Sequence, residues 1–254
     1  MLRYFTFNVL AVCFLFLGGC VSTPEPIIAE LQPVFIEKEN YPTVEITYDA
    51  EINTYPELAQ RVTDLTAQIV EGYDYDYYDS ALYDEDETDG FIPHYSKTHY
   101  ALMMQSRTAV AVMGEQSFYI GGLHPLIAFE TLVWLPKYKQ WLTVQELFGE
   151  HPDALQVVRD YVRNDLYQQL EIAKESRANR DWIRDWINKG TANVEDFKLF
   201  IPLAAPNGKI KAFNFILPPY QVASWADGTR EVEVPAAIIY PHLSRKYQNL
   251  LVTP

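Results

Sequence analysis

The sequence predicts an α+β fold, mostly antiparallel sheet with a few packed helices and room for two small subdomains. Two blocks of strand-like segments enclose two helical patterns. Strands and helices do not alternate regularly, as a doubly wound parallel sheet would require. With 254 residues and 48% apolar composition, the chain can bury one large core or two smaller ones.

The chain opens with Arg3, an apolar run from Tyr4 to Phe16, and Leu17-Gly18-Gly19-Cys20. A short basic start, a short apolar middle and small residues before a cysteine form a bacterial lipoprotein export signal. The run of about 14 residues is shorter than the roughly 20 that a spanning helix needs. Residues 1–19 are therefore expected to be a signal peptide, with Cys20 the acylated N-terminus. Two or three acyl chains make a stable membrane anchor. Val21 stands where double-membrane bacteria use Asp to retain a lipoprotein at the inner membrane, so an outer-membrane, periplasm-facing location is expected. Cys13 leaves with the signal, so neither a disulfide nor a cysteine-based metal site is expected. Residues 20–42, with Pro24, Pro26, Pro33 and Pro42, read as the lipidated cysteine and a tether.

The first subdomain is expected over 43–118 and the second over 119–254. Residues 43–49 alternate as a half-buried strand does. Pro56 opens a helix with Leu58, Val62, Leu65 and Ile69 on one face. Residues 73–89 interleave tyrosines with acids and read as a surface loop, with Tyr75, Tyr77, Tyr78, Asp84 and Asp86 as candidate partner contacts. A calcium loop fails there: Asp89 stands where an EF-hand needs Gly, and Tyr95 where it needs Glu. Two strands are expected between 97 and 120, with a break at Gly114, then a strand pair turning at 136–139. Thr143-Val144-Gln145-Glu146 reads as a capped helical turn. Pro152 starts a long helix, and a second around 181–189 ends at Gly190. Three strands close the chain, with Asn207-Gly208 as a tight turn between the first two.

Three segments carry a resemblance. They are Tyr119-Ile120-Gly121-Gly122-Leu123-His124-Pro125, then Leu142-Thr143-Val144-Gln145-Glu146-Leu147-Phe148 before a long helix, and finally Phe213 to Gly228 followed by Val232-Glu233-Val234-Pro235. Together they resemble the RsiV-like extracytoplasmic domain family over residues 43–245. That family is seen in a lysozyme-sensing anti-sigma factor and beside the catalytic domain of some peptidoglycan deacetylases. The resemblance implies a partner such as lysozyme, another peptidoglycan-active protein, or peptidoglycan itself. The sequence departs from the family pattern at Leu123, at Thr131-Leu132-Val133-Trp134 and at Gln145-Glu146.

No His-Glu-x-x-His pair, Gly-x-Ser-x-Gly elbow or glycine-rich phosphate loop is present. No catalytic residues, metal or cofactor are therefore expected. The sequence reads as a noncatalytic envelope lipoprotein that binds a basic protein; a structural lipoprotein or peptidoglycan binder is the alternative, and a cell-wall deacetylase or hydrolase the remaining class. The net charge of −14, or −15 once Arg3 leaves with the signal, excludes nucleic acid and favours basic partners. His124 either caps backbone groups where the strand reverses or touches a partner. Gly121, Gly122 and Pro125 shape that turn. In the matching turn Tyr220 is expected to pack, Asp227 to bond its own loop and Gly228 to reverse the chain. Trp182 and Trp186 share a helix face and are expected to pack in the core, with an exposed aromatic platform for glycan as the alternative.

Overall fold

A computed structural model describes residues 30–37, 43–74, 95–119 and 123–254. It has two sheets. The first has six strands in sequential order: β1 (Val34–Ile36), β2 (Thr43–Tyr48), β3 (Tyr95–Gln105), β4 (Val110–Tyr119), β5 (Leu126–Leu135) and β6 (Gln140–Trp141). All neighbours run antiparallel except β2 and β3, which are parallel. A parallel pair needs a crossover, and α1 (Pro56–Asp74) lies on that connection. The second sheet is antiparallel: β7 (Phe200–Ala204), β8 (Ile210–Leu217) and β9 (Arg230–Pro235). The result is an α+β fold with two subdomains.

The first half of β4 and the second half of β5 are apolar on both faces because both are covered there. Val110, Val112, Leu132 and Trp134 point to one side, where Leu58, Ala59 and Val62 of α1 close a core. Ala109, Ala111, Val133 and Leu135 point to the other and join the larger core. That core is shared with Phe200, Phe213 and Phe215 of the second sheet. It also takes in Ala154, Val158, Val162 and Leu166 of α2 (Pro152–Gln169). The four α2 residues recur every fourth position, so they form one stripe. Each buried Val or Leu of this kind contributes about 1.5–3 kcal/mol.

Three expectations change. The tether was expected to run to residue 42, yet Leu31 is buried and β1 pairs with β2. The Leu31 N–H also donates to Asn53 Oδ1 at 2.9 Å. Gly114 does not break the strand: β4 is continuous through it, and the Tyr100 ring covers the glycine. A Cβ there would lie 2.6 Å from Tyr100 Cε1, so the absent side chain makes room for the ring. Finally, the division expected between 118 and 119 falls inside a sheet, because β4 and β5 are paired neighbours.

Candidate functional site

The Gly-Gly-Leu-His-Pro segment precedes β5, and the Pro-Pro-Tyr-Gln segment follows β8. They are about a hundred residues apart in sequence, and the two sheets bring them together. His124 Nδ1 lies 2.9 Å from the Pro125 carbonyl, which can only accept, so Nδ1 carries the proton. In the neutral ring Nε2 then accepts from the Tyr220 hydroxyl at 3.0 Å. The imidazole stacks on Trp225 with centroids 4.1 Å apart, and the Trp225 indole N–H donates to the same Pro125 carbonyl at 3.1 Å. His124 is thus held by two hydrogen bonds and a ring face.

A second pair of rings adjoins this group. In α3 (Arg177–Lys189), the Trp186 indole N–H donates to the Tyr220 carbonyl at 3.0 Å. Trp182 packs edge-on against Trp186 with centroids 4.9 Å apart. Trp182, Trp186, Tyr220, His124 and Trp225 therefore form a contiguous aromatic cluster. Much of it is open to solvent, with Trp182 60% exposed and Tyr220 52%, and Leu123 stands fully out beside it.

The supports beneath it are rigid. Tyr220 adopts φ +71°, which a bulky residue takes only when its surroundings impose it. Its N–H donates to Ala223, and the Gln221 side-chain amide donates to the Gly190 and Asp196 carbonyls at 2.8 Å each. Gly190 touches this loop so closely that a Cβ there would overlap the Gln221 carbonyl. Asp227 accepts from the Ser224 N–H and hydroxyl and lies 3.4 Å from Arg230 Nη2. Gly228 follows with φ +71° and ψ −170°, a region open to glycine alone. Arg159 and Arg163 reach from α2 to the last carbonyls of α3 and the residues after it, at Asn188, Thr191 and Ala192. Burial and the neighbouring Arg159 lower the Arg163 pKa.

Two expectations are corrected here. Tyr220 does not pack inward; its left-handed backbone turns the ring out to His124. Trp182 is not a core residue, because the buried face of α3 is carried by Ile187 and, in part, by Ile183. Periodicity placed both tryptophans on one face without saying which face is covered. Cys20, Tyr75, Tyr77, Tyr78, Asp84, Asp86, Gly121 and Gly122 lie outside the described residues.

A second histidine forms a chain on the open face of the first sheet. His99 Nδ1 lies 2.9 Å from Thr47 Oγ1 and its Nε2 is 3.5 Å from Asp49 Oδ1. The sequence did not single out this set, because its members come from different strands. Its side chains are widely exposed, so water competes for each bond and the set ties β2 to β3. Among the described residues no three His, Cys, Asp or Glu side chains converge as a metal site. Among them too, no helix is long and apolar enough to cross a membrane.

No protein-family profile matches the chain, and no curated protein sequence matches it. Solved structures do. A DUF3298 family protein from Pseudomonas aeruginosa PAO1 aligns with a TM-score of 0.53 at 13% identity, covering 88% of this chain and 96% of that one. A member of the DUF3298 family from Bacteroides fragilis NCTC 9343 aligns with a TM-score of 0.45 at 12% identity, covering 84% and 92%. The structural neighbours of this chain are thus DUF3298 family proteins, and at such identity what it shares with the Pseudomonas protein is the fold.

Proposed function

We propose that this chain is a noncatalytic envelope lipoprotein, anchored through Cys20, whose RsiV-like domain binds a protein partner through the aromatic cluster around His124 and Tyr220. The observation that carries the reading is the convergence of two distant motif segments into one exposed, rigidly held surface. Trp and Tyr give large contact area at little entropic cost, and interface hot spots are enriched in Trp, Tyr and Arg. The net charge of −14 supports a basic partner such as lysozyme or another peptidoglycan-active enzyme, since opposite charge speeds encounter. The export signal supports an outer-membrane location facing the periplasm or the cell exterior.

Capture of hen lysozyme by the mature chain at low and moderate salt tests this. Binding that weakens with salt, and that Trp182→Ala or Tyr220→Ala reduces at least tenfold, is the expected result. Absence of binding at low salt removes lysozyme as the partner. The exposed Trp182 edge also favours a second reading, in which the cluster stacks on glycan. Co-sedimentation with purified sacculi, lost in Trp182→Ala, would establish that reading instead.

A further inference from the structure

Charge is unevenly spread over this acidic chain. β2, β3 and β5 share one direction, so all three finish at the same end of the first sheet. That end carries the connection from β3 to β4 (105–109) and the turn from β5 to β6 (136–140). The turn between β7 and β8 packs there too, since a Cβ on Gly208 would lie 3.8 Å from Ser106 Cβ. The last segment of the chain joins it: the Ile210 N–H donates to the Leu250 carbonyl at 2.9 Å, and Lys246 Nζ donates to Gln140 Oε1 at 2.9 Å.

These four segments, 105–109, 136–140, 205–210 and 240–252, contain no Asp or Glu in a chain that has 34 of them. They contribute Arg107, Lys137, Lys139, Lys209, Arg245 and Lys246, and all but Lys209 are exposed. None of the six makes a salt bridge among the described residues. The Lys137 and Lys246 ammonium groups lie 5.6 and 5.7 Å from the centre of the Tyr138 ring, and Lys246 is 5.0 Å from that of Tyr247. Two like charges thus share one ring, which offsets part of their repulsion. Glu146 reaches this end, but its carboxylate accepts from the Thr143 N–H and the Gln140 amide. The molecule is therefore bipolar, an acidic body with one basic end.

The path of the chain says what that end faces. β1 runs antiparallel to β2, so the chain enters β1 from the basic end. Cys20 stands ten positions before Glu30, where the described chain begins, a span of at most about 35 Å. The aromatic cluster lies at the opposite end, because β5 starts beside His124 and β8 finishes beside Tyr220.

We propose that the basic end rests on the anionic headgroups of the membrane that carries the chain, and so turns the aromatic cluster away from the bilayer toward its partner. This rests on the reading of Cys20 as the acylated residue. The anchor keeps the end within reach, and clustered Lys and Arg beside a membrane are drawn to its phosphates. The excess of acids elsewhere does not prevent it, because charges farther than about 8 Å are largely screened at physiological salt.

The test installs the anchor chemically. Cys20 is the sole cysteine after the leader, so the mature chain can be coupled through it to a maleimide lipid. Vesicles of phosphatidylcholine alone are compared with vesicles of phosphatidylcholine and phosphatidylglycerol in equal parts. Acetylation of each lysine is followed by mass spectrometry. On the anionic vesicles Lys137, Lys139 and Lys246 are expected to react at least threefold more slowly than on the neutral ones, and added salt should remove the difference. Lys174 and Lys189, both widely exposed, should react alike on the two. Lys137→Glu combined with Arg245→Glu, in a protein whose circular dichroism is unchanged, should free Lys139 and Lys246. The proposal is overturned if the three lysines react equally on both vesicles, if Lys174 and Lys189 are slowed as much, or if the reversed charges leave Lys139 and Lys246 slow. It is also overturned if soluble polyglutamate slows the three lysines and anionic vesicles do not, since the end would then suit an acidic protein. Because the anchor is installed, none of these results depends on acylation in the cell, which mass spectrometry of the native protein tests separately.

Discussion

The Thr98 hydroxyl is a single buried atom whose cost is measurable. Replacing Thr98 with Val keeps the branched shape and removes a buried group that has no hydrogen-bond partner among the described residues, so the protein should gain about 1 kcal/mol. For a chain of this size that is a rise in melting temperature of about 2–4 °C, readable by calorimetry, and a fall would mean that the hydroxyl has a partner. Tyr100 is the other residue with a distinct signature. Burial, then the Glu130 carboxylate and Tyr48, push its pKa up to about 12, against an opposing pull from Arg61. Tyrosine in the unfolded chain titrates near 10. The folded state therefore keeps the proton when the unfolded state has lost it, and stability falls as pH rises above 10. The contribution is fully present below about pH 10 and is lost by about pH 12, a change of roughly 2 kcal/mol. Urea denaturation at pH 9 and pH 11.5 should show wild type losing more stability than Tyr100→Phe over that interval. Equal losses would count against a raised Tyr100 pKa.

At the level of elements, the cluster depends on how α3 is fastened. Arg163 holds the Asn188 carbonyl near its C-terminus and Arg159 the Thr191 carbonyl just beyond it, and Gly190 admits the 218–228 loop against its end. Gly190→Ala should push that loop away from the helix and cost about 1–3 kcal/mol, as overpacking does. It should also break the Trp186 to Tyr220 bond, so tryptophan fluorescence should change along with the denaturation midpoint. If the midpoint shifts and the fluorescence does not, the two elements are not coupled as described. The same logic explains β1. A short strand beyond β2 satisfies the edge of the parallel pair, and Leu31 seals the end of the α1 core.

For the whole molecule, charge and topology act together. With 34 acidic and 20 basic residues, long-range attraction to a basic enzyme should be strong in dilute buffer and largely screened at physiological salt, where the Debye length is about 8 Å. Affinity for lysozyme, measured by surface plasmon resonance, should fall with added salt mainly through the association rate. A salt-independent rate would show that charge does not guide the encounter. Trp182→Ala should instead act on dissociation, because a central aromatic contact is made only after docking.

The elements themselves were legible in the chain because local spacing determines them. The apolar residues of α1 and α2 recur every three or four positions, the strands alternate, and Pro56, Pro152 and Gly190 mark helix ends. What tertiary packing alone decided is which surfaces meet. Trp182 and Trp186 share a helical face by sequence, but only the placement of α3 against α2 leaves that face open. Tyr220 turned outward because its backbone is clamped by Gln221 and Gly190, a constraint that no window of neighbouring residues contains. His124 and Tyr220 meet across about a hundred residues because two sheets pack together, and the orphaned hydroxyl of Thr98 depends on the register of four strands at once. Local composition sets the elements, whereas burial and hydrogen bonding between distant segments choose which residues are left facing a ligand.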